Sequence, residues 1–478
     1  MKIIFIEPRS PNLHIFSRFG LPRLGTVLMA TIARRLGHEA SVYIEEIRPV
    51  DWEDVRSADL VGISSITSTA PRAYAMADKI RQRGGTVVMG GPHVTFLPEE
   101  AAEHADFVLK GEAEHSFPEL LEHLESRRPV EAVHNLVRLD GEKAVHGPED
   151  GRIVDIRLNP HPDFRLIRGF RTARSLARVR RRIIPVQLSR GCPFDCSFCS
   201  VTGMFGRTMR YRDTDDIMSE LLTYNSKDVH IFFYDDNFTA NRSRAKELLR
   251  AMKAAGTRFV WSTQVRVDAA KDPELLRLMR DTRCEVVYIG IESADPRVLE
   301  HIRKRQTVGE AGRGLNAFRR HGIPVHGMFI LGLDTDTPAV IDGTVRFARR
   351  TGLTSLQALI LTPLPGTRVF DRLKGEGRIL FHDWSMYDAH HVVFSHPVMS
   401  PGELQQAQID VHNRFYSRGR VVRDLLRGRV GSAGIAVYAR GLNRRWKGRN
   451  SLYLHALKLL QYSRELEVTM DLRIRCTV

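Results

Sequence analysis

Residues 188–203, LSRGCPFDCSFCSVTG, place three of the chain's five cysteines within eight positions. Cys192, Cys196 and Cys199 have the spacing CxxxCxxC, with Phe198 immediately before the last. Thiolates are soft ligands, and three of them on one loop can wrap a single iron–sulfur cluster. Three ligands to a 4Fe–4S cubane leave one iron open to a small molecule. Structural zinc is the alternative, but it usually takes four ligands in a closed tetrahedron. The fourth would come from Cys284, Cys476 or a histidine. Cys284 precedes the strand-like EVVYIG, at the opposite end of its strand from the loop, and is a poor partner.

The rest of the composition suits reduced thiols. At 478 residues, two or three domains are expected, each able to bury a core. Five cysteines are an odd number and too few for a disulfide-stapled secreted protein. The apolar run in MKIIFIEP ends at Glu7 and Pro8, too short for a signal peptide, and reads as a first buried strand. No stretch approaches the roughly 18–20 apolar residues that span a bilayer. A cytoplasmic protein is expected. Its charge of +16 is concentrated in two segments, net +8 over residues 165–182 and net +10 over 414–450. Such patches suit an anionic partner: a lipid headgroup, a phosphate-bearing substrate or RNA.

Two runs of alternating strand and helix must position the cysteine loop. The first comprises KIIFIEP, EASVYIEE, LVGISSIT, TVVMGG and DFVLKGE, separated by helical segments, with SFPELLEHLES as the closing helix. Apolar β-branched strands between helices predict a parallel, doubly wound sheet, with its ligand at the carboxyl ends of the strands. Those ends carry Ser64, Ser65 and Thr67, then Gly90, Gly91, Pro92 and His93, then Gly111 and Glu112. Small residues there let a backbone approach a flat or phosphate-bearing ligand. Taken alone, they serve equally as tight connections. No GxGxxG follows the first strand, which argues against a nicotinamide site.

The second alternation begins at Ile183 and contains six strand–helix units, predicting an open barrel with its chemistry at the carboxyl strand ends. The cysteine loop follows the first of these strands. The expected organisation is an α/β chain in four parts. A Rossmann-like domain spans 1–125 and a linker with a basic helix 126–183. A partial (β/α)6 barrel spans 184–380 and a mostly helical, basic extension 381–478.

CPFDCSFC after QLSRG resembles the signature loop of the radical S-adenosylmethionine (radical SAM) superfamily. The resemblance implies a 4Fe–4S cluster whose open iron binds the amino and carboxylate groups of SAM. Reduction then cleaves the sulfonium, and the radical formed abstracts hydrogen from a substrate. It implies SAM contacts from Phe198, from Asp235 and Asp236 in YDDNFT, from Glu292 and Ser293 in GIES, and from Gln264, with Arg266 also facing the site. The usual GGE is absent, and the DD-type replacement resembles the superfamily's cobalamin-dependent branch. Residues 59–121 are similar to the cobalamin-binding domain fused before such barrels, which implies cobalamin on the turns at Ser64, Gly90 and Gly111. The DxHxxG motif that gives cobalt a histidine elsewhere is missing, and His93 is the nearest histidine.

Residues 381–417 resemble the extension of a subgroup that includes hopanoid and bacteriochlorophyll-pathway enzymes. His390, His391 and His396 there are expected to pack rather than bind metal. The resemblance implies a C-methyltransferase acting on a lipid, isoprenoid, tetrapyrrole or other secondary metabolite, served by a flavodoxin- or ferredoxin-type electron donor. A peripheral contact with the inner face of a membrane follows from the apolar and arginine-rich C-terminus. Nucleic acid is not expected, because no RNA-binding module is recognisable. Two rivals stay open: a radical SAM oxidation, cyclisation or rearrangement without methyl transfer, and a zinc-stabilised binding protein.

Overall fold

The computed structural model describes residues 1–11, 21–170 and 181–460. Its first sheet has seven strands: β1 (Lys2–Glu7), β2 (Glu39–Ile44), β3 (Leu60–Ser64), β4 (Val87–Gly90), β5 (Phe107–Leu109), β6 (Leu136–Asp140) and β7 (Lys143–His146). The spatial order is β2-β1-β3-β4-β5-β6-β7, and the first five are parallel. The fold is doubly wound, with β1 and β3 adjacent at the point where the order reverses, so a crevice opens outside their carboxyl ends. Helices Leu24–Arg35 and Ala70–Arg81 contribute to two separate apolar clusters, leaving the strands between them dry.

The segment after residue 125 departs from the expected linker. β6 and β7 form an antiparallel hairpin that extends the sheet at β5, so the first unit runs to His146. LDGEK is its turn, with Gly141 at φ 61°, and the alternation in LVRL is too short to advertise a strand. The basic helix expected over 165–182 lies mostly on residues outside the described set.

The second sheet contains β8 (Arg182–Val186), β11 (Val229–Phe233), β12 (Val260–Val265), β13 (Cys284–Glu292), β14 (Val325–Leu331) and β15 (Ser355–Ile360). Between β8 and β11, a short ribbon of β9 (Ser189–Arg190) and β10 (Arg210–Tyr211) brackets the cysteine loop. All six strands are parallel in the order β15-β14-β13-β12-β11-β8, the open barrel expected. Its helices start on side-chain caps: Asn241, Asp272, Thr307 and Thr337 each accept from a first-turn N–H. Beyond the barrel, helices Pro401–Phe415, Arg418–Leu426 and Val430–Arg449 form the extension. His390, His391 and His396 are buried there; His391 pairs with Asp388 at 3.0 Å and His396 Nε2 donates to the Leu333 carbonyl at 2.8 Å.

Trp261 anchors the barrel's outer layer. It is fully buried against Phe233 and Phe238, and its indole donates to the Thr282 carbonyl at 2.9 Å. Trp261→Ala should lower unfolding free energy by about 3–5 kcal/mol in denaturant titrations.

Candidate active site at the joint of two sheets

The cysteine loop leaves β8 under tight restraint. Asp235, just past the end of β11, accepts from the Leu188 N–H at 3.1 Å and from both the N–H and hydroxyl of Ser189. Its carboxyl is buried with no basic partner, and burial pushes its pKa up to about 7. Asp235 is therefore a brace between two strand ends. The SAM contact expected of it is not available, because its oxygens are already committed to the backbone.

Gly191 then turns at φ 97°, where an added Cβ would lie 2.6 Å from the Thr208 carbonyl. Within the loop the Cys199 N–H donates to the Cys196 carbonyl at 3.2 Å, and Arg368 grips Asp195 at 2.9 and 3.1 Å. Cys192, Cys196 and Cys199 are half-buried free thiols. Burial raises all three pKa values, that of Cys199 to about 12. Phe198 packs against the core beneath them. Among the described residues no three or more His, Cys, Asp or Glu side chains, these thiols included, are drawn together into a set for one metal ion. Cys284, the possible fourth donor, is buried at the start of β13. Three free thiols on one loop are the soft donors that a cluster takes.

Asp236 does face the site. Its carboxyl is pushed up to about 6 by burial, against the pull of Arg190, and its charge acts on the Cys192 and Cys199 sulfurs. On the barrel's other side, Glu292 ends β13 in the left-handed region at φ 64°. Its carboxylate is buried against Lys304 Nζ at 2.6 Å, and only a glycine at 290 leaves room for the pair. Two further left-handed residues, Arg303 and Arg305, flank that lysine. Ser293 is buried, its hydroxyl accepting from the Asp295 N–H at 3.1 Å. Gln264 is half-buried at the end of β12, opposite Tyr288. Arg266 stacks over Phe194 at 3.8 Å and donates to the Lys304 carbonyl at 2.7 Å, with its Nε 3.6 Å from Asp268 Oδ1.

A cavity of about 260 Å³ lies between the first sheet and the residues on either side of this loop, Arg190 and Met204. Ser64, Gly90, Gly91, Pro92, Gly111 and Glu112 line one wall. Gly91 sits at φ 102° with no room for a Cβ, which bares the backbone to a flat ligand. Gln187, Arg190, Met204, Phe205 and Tyr234 line the barrel side. Tyr234 is 36% exposed and lines this cavity. Three expected contacts lie elsewhere. Ser65 is fully buried behind the turn, and Thr67 is buried in the short 3-10 helix Thr67–Thr69. His93 is turned to the rear, its Nε2 3.0 Å from the Tyr74 hydroxyl and its ring against Trp384, so it does not reach the cavity. Glu112 reaches across to Arg190 and to Arg210 at 2.6 Å, making it a bridge between domains. Arg190, Lys304 and Tyr234 were not singled out from sequence, although Arg190 stands two residues before Cys192.

Residues 186–348 match the Radical SAM superfamily, and residues 18–121 match the B12 binding domain. The chain is a radical SAM protein with a B12-binding domain. The bacteriochlorophyllide d C-12(1)-methyltransferase of Chlorobaculum tepidum is 26% identical over 88% of this chain and 89% of its own length. The hopanoid C-2 methylase of Rhodopseudomonas palustris is 29% identical over 74% of this chain and 65% of its own length. TsrM from Kitasatospora setae, a radical SAM methyltransferase solved with cobalamin and a [4Fe-4S] cluster, superposes with a TM-score of 0.66 at 17% identity, covering 79% of this chain and 78% of that one. The cofactor set is a 4Fe–4S cluster, SAM and cobalamin. The radical SAM protein should lose its iron–sulfur absorbance on Cys192→Ala, Cys196→Ala or Cys199→Ala after anaerobic reconstitution. Cys284→Ala should keep it.

Proposed function

We propose that this radical SAM protein transfers a methyl group to an unactivated carbon of a polycyclic lipid, isoprenoid or tetrapyrrole. The observation that carries the reading is the single cavity whose walls come from both the B12-binding turns and the residues flanking the cysteine loop. Cys192, Cys196 and Cys199 would hold the cluster, and the turns at Ser64, Gly90 and Gly111 the cobalamin. When bound, the cluster supplies the electron that splits SAM and cobalamin the methyl group to be transferred.

The chain's own residues orient and shield. Asp236, ionised, would accept from the ammonium of SAM, and Arg266, stacked over Phe194 of the loop, would lend its positive charge to a carboxylate there. Gln264 and the Glu292–Lys304 pair close the barrel side, with Ser293 behind them. Met204, Phe205 and Phe117 exclude water from the cavity. Tyr234, a neutral phenol at physiological pH, lines this cavity from the barrel side and would present its hydroxyl there. A low-potential carrier of flavodoxin or ferredoxin type supplies the electron.

The lipid class rests on the C-terminal helices as well as the hopanoid relative. Leu425, Leu426, Val430 and Val437 are exposed between Arg423, Arg427 and Arg429. This pattern suits the surface of an anionic bilayer. No helix among the described residues is long and apolar enough to cross a membrane.

Incubated anaerobically with methyl-labelled SAM, cobalamin and an extract containing candidate substrates, the reconstituted chain should release labelled product. Deoxyadenosine without label in any product would favour oxidation or cyclisation. Because Asp236 loses its charge as pH falls through about 6, SAM affinity should weaken below that pH in calorimetric titrations. Asp236→Asn should bind SAM at least tenfold more weakly and without that pH dependence. In liposome flotation, the full-length double variant Leu426→Glu/Val430→Glu should leave anionic vesicles that the parent chain binds.

A further inference from the structure

Within the cysteine loop Pro193 is the most open residue, exposed while the cysteines beside it are half-buried. Around this tip the structure gathers arginines from three separate segments. Arg368 grips Asp195 of the loop, Arg303 approaches the same carboxylate at 3.9 Å, and the charge of Arg207 also acts on it. Arg207, Arg303 and Arg368 are exposed, Arg303 by 65% of its side chain. One carboxylate does not neutralise three guanidinium groups, and a single exposed pair contributes little to stability. The rim is therefore an arginine-rich border around the most exposed part of the loop.

We propose that this rim is the docking surface for an acidic, flavodoxin-type electron carrier. The inference rests on the reading of the loop as a cluster site. Carrier encounters of this kind bury little area and depend on steering by opposite charge. Pro193 offers an apolar tip for the exposed edge of a flavin ring. One electron leaves the carrier's flavin and enters the cluster; no bond forms, and the proton balance stays with the carrier.

The test compares the reconstituted full-length chain with the double variant R207Q/R303Q, which leaves the Arg368–Asp195 pair intact. Bleaching of the cluster absorbance is followed by stopped flow with reduced flavodoxin and, separately, with dithionite. At an ionic strength near 0.01 M, where charges act over about 30 Å, the variant should be reduced by flavodoxin about tenfold more slowly. The two proteins should converge at high salt, and there, where the steering of anionic dithionite is screened too, dithionite should reduce both equally fast. Equal flavodoxin rates at low salt would overturn the proposal. Slower dithionite reduction of the variant at high salt would also overturn it, by making these arginines supports of the loop. A parent chain without an iron–sulfur absorbance would instead sink the cluster reading itself.

Discussion

A buried guanidinium holds the two halves of this protein in register. Arg190 ends the short strand β9 directly before the cysteine loop, and its side chain is 9% exposed. It donates to Glu112, to Glu114 at 2.6 Å and to Gln187 at 3.2 Å. Its field also reaches Asp236. A charge so enclosed is tolerable only while its partners stay in place, and removing one of them costs about 3–5 kcal/mol. The turn after β5, which lines the cavity, is thereby tied to the strand end that launches the cysteine loop. This cluster of ions acts beside other contacts between the halves, such as Trp384 Nε1 donating to Glu100 at 2.8 Å.

Around that joint, the backbone departs from ordinary geometry in a few defined places. Gly91 and Gly191 occupy positive φ where neighbouring carbonyls leave no space for a side chain. Glu292, Arg303 and Arg305 take up positive φ without being glycine, and all three converge on the buried Lys304 ion pair. Strain of this kind costs on the order of 1–3 kcal/mol per residue, and it persists where surrounding structure enforces it. Here the enforcement comes from Arg266, which donates to the carbonyls of Lys304 and Arg305. Stability is sacrificed to keep one lysine and one glutamate beside the cluster loop.

Much of this could be read from residue order. The six apolar strands of the barrel and the five parallel strands before them each declare themselves by β-branched runs, and CPFDCSFC marks its own chemistry. The turns at Ser64, Gly90 and Gly111 also point to the cavity they line. What escaped detection depends on which way a side chain turns. Asp235 and Asp236 are adjacent and chemically identical, yet one is spent bracing Leu188 and Ser189 while the other remains free to bind. His93 lies in the expected turn but faces Tyr74 and Trp384, a partner almost three hundred positions away. Ser65 and Thr67 alternate with lining residues and fall on the dry side. The hairpin β6–β7 is hidden by its polar, two-residue turn and the short apolar stretch before it.

The central claim is that three cysteines leave one iron open for SAM beside a cobalamin cavity. Electron–nuclear double resonance on the reduced cluster, with SAM carrying nitrogen-15 and oxygen-17 in its methionine part, tests this most directly. The account predicts hyperfine coupling from both the amino nitrogen and a carboxylate oxygen to the cluster. A reduced cluster that shows neither coupling at saturating SAM would contradict it.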